Sequence, residues 1–232
     1  MIALDQQGGV TRLTLDRPAR RNAMATEHWL ALADAVARIP SDAPVVLLRS
    51  AARGIFSAGA DLAEVARLHA EPALRAPFRR ALRAGVDAVA ALPMPVVAAI
   101  EGGCHGAAVA LALAADVRVA STDAHFALPP ARLGIAYPAE DIARLATLVG
   151  SGQAARLLFT AETIDVAEAQ RIGLVDTIGD GEEVARLIAA NDPAALVALK
   201  AMLRDPADRT HARTFEDSFA SARLGAATKR YR

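Results

Sequence analysis

Between Val96 and Asp116 the chain reads VVAAI, then EGGCHG, then AAVALALAAD. The first segment, entered from Pro95, has the length and composition of a buried strand, and the last reads as a helix. A helix that is apolar on every side has to be buried all round, so this stretch sets the centre of the fold. Its first N–H groups lack partners within the helix and carry the positive end of the macrodipole. Gly102, Gly103, Gly106, Ala107 and Ala108 keep side chains away from that end, so another molecule can reach the backbone. Close packing of a helix on a sheet accounts for the same residues. The stretch alone does not decide between scaffold and site.

A second turn of small residues tips the balance. GIFSAGADL, Gly54 to Leu62, follows the strand-like APVVLLRS and leads into a helical segment. Two strand-to-helix turns of this kind can aim two backbone N–H groups at one oxygen that gains negative charge during a reaction. Such an oxyanion hole is worth about 3 kcal/mol of transition-state stabilisation per donor.

The chain has 232 residues, 53% of them hydrophobic, which suits one domain with a substantial core and excludes disorder. Formal net charge is zero and the arginines are interleaved with acids, so no nucleic-acid footprint is visible. The single cysteine, Cys104, excludes an intramolecular disulfide and fits a reducing compartment. MIALDQQ has neither a basic start nor an apolar core, and the apolar runs are too short to span a bilayer. A cytoplasmic protein without membrane association is expected.

Residues 2–17 read as a hairpin turning at Gly8-Gly9, followed by a helix from about Thr26 to Ile39 with Thr26 as its N-cap. Strand 44–49 leads into the first turn, and 61–92 reads as helix broken at Pro72 and Pro77. After the central strand and helix come VRVAS from Val117, a Pro-rich turn ALPPARLGIAYP, and a helix from about Ala139. Ser151 and Asp165 are the candidate caps of two further helices, LVDTI reads as a short strand, and two amphipathic helices cover 181–204. The alternation of strands and helices predicts βαβ units with right-handed crossovers.

FSAGADL, PVVAAIEGGCHGAAVALALAAD and FALPPARLGI, in that order, resemble the crotonase superfamily, the enoyl-CoA hydratase/isomerase family. TRLTLDRPARRNAM and LLFTAETIDVAEAQRIGLVDTI are similar to two further family signatures. The resemblance implies an α/β fold in which a spiral of ββα turns fills residues 1–180 and a helical region, 181–232, helps assemble trimers or hexamers. It implies an acyl-CoA thioester as substrate, with coenzyme A as part of that substrate and no separate cofactor. The backbone N–H groups of Ala60 and Ala107 would hold the thioester oxygen and stabilise an enolate. Arg21, Ala23, Ala58 and Leu62, with Asp61 and Gly106 beside them, lie where the family wraps the coenzyme A moiety. Asp61 also has the position of a helix cap. Lys229, in the C-terminal helix, would reach the 3′-phosphate, of its own or a neighbouring subunit.

Two departures from the family pattern bear on the reaction. Where hydratases of the family carry their two glutamates, this chain has Ala110 and Pro130. Adding water to an enoyl thioester needs acid–base groups poised near both carbons, and neither residue carries a proton. Tyr137 stands where decarboxylases of the family also have a tyrosine, and Glu140 and Asp141 follow it. Tyr137 and Glu140 are therefore the candidate acid–base groups, although acids in a first helical turn also serve the dipole. His105 either faces the acyl group or fills space beneath the turn, while His125 and Cys104 read as packing residues. A variant reaction such as decarboxylation, thioester hydrolysis or isomerisation is implied. The alternative is a non-catalytic acyl-CoA-binding protein that keeps the cradle without the chemistry. No metal-ligand spacing, nucleophile elbow or dinucleotide fingerprint occurs.

Overall fold

In a computed structural model that describes residues 2–229, the all-apolar segment is helix α4, Ala107–Leu113, and every residue from Ala108 to Ala115 is buried. It follows strand β5, Val96–Ile100, and the short strand β6, Gly103–His105. The same two-strands-then-helix order occurs on either side. Before it come β3, Val45–Ser50, β4, Ile55–Ser57, and helices α2, Leu62–Ala70, and α3, Arg75–Ala91. After it come β7, Val117–Ala120, β8, His125–Ala127, and α5, Ala139–Val149.

Each repeat sends its first strand to one sheet and its second to another. With the hairpin β1, Ile2–Gln7, and β2, Val10–Leu15, and the short β10, Thr177–Ile178, the first strands form a six-stranded sheet ordered β1-β2-β3-β5-β7-β10. Only the hairpin pair in it is antiparallel. The second strands form a four-stranded sheet, β4-β6-β8-β9, closed by the antiparallel β9, Thr163–Asp165. This is the ββα spiral that the resemblance implies, and the expected α/β class holds.

The inner strands β3 and β5 of the large sheet are covered on both faces, which is why they carry unbroken apolar runs, VVLL and VVAAI, rather than alternating ones. Val46 and Leu48 point into the main core with Leu13, Trp29, Val86 and the α4 residues. Val45, Leu47, Val97 and Val119 point the other way, onto Ala185 of α8, Gly181–Ala189. The α8 backbone comes so close that a β-carbon on Gly181 would lie 2.5 Å from that of Ala99. The remaining helices are α1, Thr26–Ala37, α6, Ser151–Thr160, α7, Val166–Arg171, α9, Pro193–Arg204, α10, His211–Ser218, and α11, Ala222–Thr228.

Local expectations fail at three places, each for a physical reason. Pro77 does not break a helix. It sits in the first turn of α3, where its missing N–H has no helical partner to lose. Thr26 is not the cap of α1. It is the first helical residue, and the carboxylate of Glu64 takes both its N–H, at 2.5 Å, and its hydroxyl, at 2.6 Å. Ser151 likewise begins α6, after Gly150 at φ +79°, and its side chain caps nothing. Asp165 does cap α7, accepting from Glu168 N–H at 2.9 Å.

Candidate active site

The first small-residue turn leaves β4 at Ser57 and reaches α2 through Ala58, Gly59 and Ala60. It is held from outside by the chain around Asn22. Met24 N–H donates to Gly59 O at 2.7 Å, Asp61 N–H to Met24 O at 3.0 Å, and Ala58 N–H to Arg21 O at 2.9 Å. These bonds use the groups flanking Ala60 and leave its own N–H free of a partner among the described residues.

Asn22 organises this corner, and reading the sequence gives it no role. It is 1% exposed and sits at φ +53°. Its side-chain oxygen accepts Arg17 N–H at 2.8 Å, and its amide donates to Ser50 Oγ at 2.7 Å and Phe56 O at 2.9 Å. Its own carbonyl accepts the Ser57 hydroxyl at 2.7 Å. An amide offers both donors and an acceptor, so one buried side chain can tie three segments together. The one sequence signal was a polar residue between the charged RR and the apolar AM.

Asp61 is the N-cap of α2, accepting from Ala63 N–H at 3.0 Å, and it also receives Arg17 Nη1 at 2.8 Å. The bond from Arg17 holds its carboxyl below the ordinary carboxylate range, against the opposing effect of burial. Arg17 Nη1 also donates to Ala23 O at 2.8 Å. Arg21, Ala23, Ala58, Asp61 and Leu62 are thus gathered at one corner. Arg21 is exposed, and Leu62 presents 65% of its surface to solvent.

The second turn passes from β6 through Gly106, at φ +53°, into α4. Gly106 N–H donates to Ala127 O at 2.8 Å, which leaves Ala107 N–H at the open end of the helix with no partner among the described residues. The two turns meet. A β-carbon on Gly59 would lie 2.9 Å from Ala107 N and would overlap His105 O. Gly59 is at φ +85°, so glycine is required there both for the conformation and for the approach. Ala60, next to Gly59 in the chain, and Ala107, whose nitrogen makes this contact, are both half-buried.

The candidate side chains divide. Tyr137 is half-buried with its hydroxyl end inside, and that hydroxyl donates to Gly106 O at 2.9 Å. Burial first, and the nearby Asp141 next, push its pKa well above the usual phenol value. A neutral phenol already donating to a carbonyl is a poor proton acceptor. Glu140 lies exposed in the first turn of α5. Its neighbour Asp141 is fully buried and receives Arg83 Nη1 at 2.7 Å. Ala110 is 1% exposed on α4, and Pro130 is buried just before a single turn of 3-10 helix.

His105 and His125 face each other on neighbouring strands with ring centroids 5.2 Å apart. Burial, then the proximity of His125 and Arg21, lower the His105 pKa, so its ring is neutral at pH 7. Cys104 is buried, and burial raises its pKa, so it is no nucleophile. Lys229 is exposed just after α11. Among the described residues no cluster of metal-binding side chains occurs, and no helix is long and apolar enough to cross a membrane.

Comparison with known proteins agrees with this architecture. A probable mitochondrial enoyl-CoA hydratase of Arabidopsis thaliana is 38% identical over 182 residues, which is 76% of this chain and 60% of that protein. The chain therefore spans about three-fifths of the length of that plant relative. A probable enoyl-CoA hydratase of Mycobacterium leprae is 35% identical over 212 residues, covering 88% of this chain and 83% of the relative. The crystal structure of an enoyl-CoA hydratase/isomerase family protein from Hyphomonas neptunium superposes with a TM-score of 0.88 at 33% identity, covering 98% and 93% of the two chains. The family model for enoyl-CoA hydratase/isomerase matches residues 5–222. The chain belongs to the enoyl-CoA hydratase/isomerase family.

Proposed function

We propose that this chain binds an acyl-CoA thioester and stabilises its enolate between two backbone donors, Ala60 N–H and Ala107 N–H. The observation that supports the reading is the contact of the two turns at Gly59, beside two N–H groups that have no hydrogen-bond partner among the described residues. Backbone donors fixed by the fold need no reorganisation as charge develops on the thioester oxygen, which is what makes them effective. The exposed Arg21 and Leu62 beside the first turn suit the phosphates and adenine of coenzyme A. Lys229, just past the C-terminal helix α11, is a further cation for the nucleotide, and assembly into trimers or hexamers would bring in a neighbour's copy.

The reaction that fits such a site is decarboxylation of a malonyl-type CoA ester, the chemistry of a lyase. The bond from the α carbon to the carboxylate breaks, its electron pair enters the thioester enolate, and carbon dioxide leaves. A proton from water then completes the α carbon. This step needs the oxyanion hole and no glutamate pair, in keeping with Ala110 and Pro130. The absence of that pair equally favours a second reading, a binder of acyl-CoA that performs no chemistry.

The test is to supply malonyl-CoA, methylmalonyl-CoA and crotonyl-CoA and measure both product and binding heat. Carbon dioxide release from a malonyl-type ester supports the lyase reading. Binding without product from any ester supports the second reading. Efficient hydration of crotonyl-CoA overturns the argument from the missing glutamates, and no binding overturns the acyl-CoA assignment itself.

A further inference from the structure

We propose that Tyr137 is a positioning residue for the oxyanion donor at Ala107, acting through the peptide group that joins Gly106 to Ala107. The inference rests on the reading of Ala107 N–H as a thioester donor.

The carbonyl that receives the Tyr137 hydroxyl and the N–H of Ala107 are opposite ends of a single peptide unit. That unit is planar, so fixing the direction of the carbonyl fixes the direction of the N–H. It needs fixing. Gly106, at φ +53° and ψ −122°, lacks the β-carbon that would restrict rotation of the following peptide, and a β-carbon there would meet nothing within 4 Å. Val109 N–H also donates to Gly106 O at 2.9 Å, but that bond belongs to the helix and moves with it. Tyr137 reaches the same oxygen from the loop ahead of α5, on an independent anchor. Its ring packs on the main core, and it is followed by Pro138, which leads directly into that helix.

A second effect runs through the same bond. A donor placed on a peptide oxygen polarises the whole unit and strengthens its N–H as a donor, by roughly 10–30% per bond. Tyr137 thus both aims Ala107 N–H and sharpens it. The phenol does this as a neutral donor, in keeping with the buried setting of its hydroxyl. It need not touch the substrate.

The test uses butyryl-CoA labelled with ¹³C at the thioester carbonyl, read by isotope-edited infrared spectroscopy in the intact protein. A carbonyl held by two donors absorbs at lower frequency than in water. In the wild-type protein the band shifts down on binding. In Tyr137→Phe about half of that shift is lost, because one of two donors loses its aim, while the dissociation constant stays within about threefold. Replacing tyrosine with 3-fluorotyrosine makes the phenol a stronger donor and deepens the shift. Tyr231, the chain's other tyrosine, is replaced by phenylalanine in the labelled protein, so that Tyr137 alone carries fluorine. The fluorinated protein also decides the matter if Tyr137→Phe does not fold. A wild-type shift left unchanged by both replacements overturns the role of Tyr137 and leaves the acyl-CoA reading standing. A band that does not shift in the wild-type protein overturns both.

Discussion

Gly59 and Ala107, 48 positions apart, approach until a β-carbon on the first would lie 2.9 Å from the backbone nitrogen of the second. The two turns that sequence reading singles out are therefore one structural unit. Their separation is set by the absence of a side chain. Gly59→Ala removes that spacing and also forces alanine to φ +85°, at a cost of about 2 kcal/mol from the backbone alone. The expected result is a protein with a lower melting temperature and acyl-CoA affinity reduced at least tenfold, about 1.4 kcal/mol. Thermal unfolding and calorimetry check this. Wild-type stability and affinity in the variant would contradict the contact.

The Arg17–Asp61 pair makes stability depend on pH in a defined direction. The Asp61 carboxyl titrates below its ordinary value of 3.8, so its pairing contributes fully above that pH and is lost as pH falls through the folded-state value. Asp61→Asn keeps a good helix cap but cannot lose a charge. At pH 7 the wild type should be more stable than the variant by about 1 kcal/mol. The gap should close as pH drops below about 4. Urea unfolding at several pH values reads the difference; a gap that stays constant down to pH 2, or widens, contradicts the assignment.

Asp141 is fully buried, and Arg83, from a helix 58 positions earlier, is its closest cationic partner at 2.7 Å. Removing one member of a buried pair strands the other charge, which costs about 3–5 kcal/mol. Arg83→Met should destabilise by about that amount, at the lower end because Arg144 remains 3.4 Å away. Adding Asp141→Asn should recover part of the loss. If the double variant is no more stable than Arg83→Met, the stranded charge is not the cause.

Lys200 fastens the C-terminal helices to the core. Its ammonium donates to Met94 O at 2.7 Å and lies 2.5 Å from Asp116, just past the end of α4. Burial lowers its pKa, and Asp116 opposes that. Lys200→Ala should cost about 2 kcal/mol, less than a fully buried pair because Asp116 is partly exposed. It should also raise amide exchange throughout α9. Exchange confined to the substituted turn would contradict this.

The spiral was legible because its signals are local: glycines at the turns, apolar runs of strand length, and one helix with no polar face. The two turns that carry Ala60 and Ala107 were equally readable, since runs of small residues between strand and helix mark them. What stayed hidden depends on partners distant in sequence. Asn22 looks like a loop residue until Arg17, Ser50 and Phe56 surround it. Thr26 looks like a cap until Glu64 arrives from another helix. Glu140 and Asp141 are indistinguishable as neighbours in a first turn, and only the packing against α3 makes one exposed and the other buried.

The most direct test of the whole account is a crystal structure with a saturated acyl-CoA bound. The account predicts the thioester oxygen within about 3.1 Å of both Ala60 N and Ala107 N, with the acyl chain running on into the cleft. An oxygen bonded to side chains or water, with either amide turned away from it, would contradict the account.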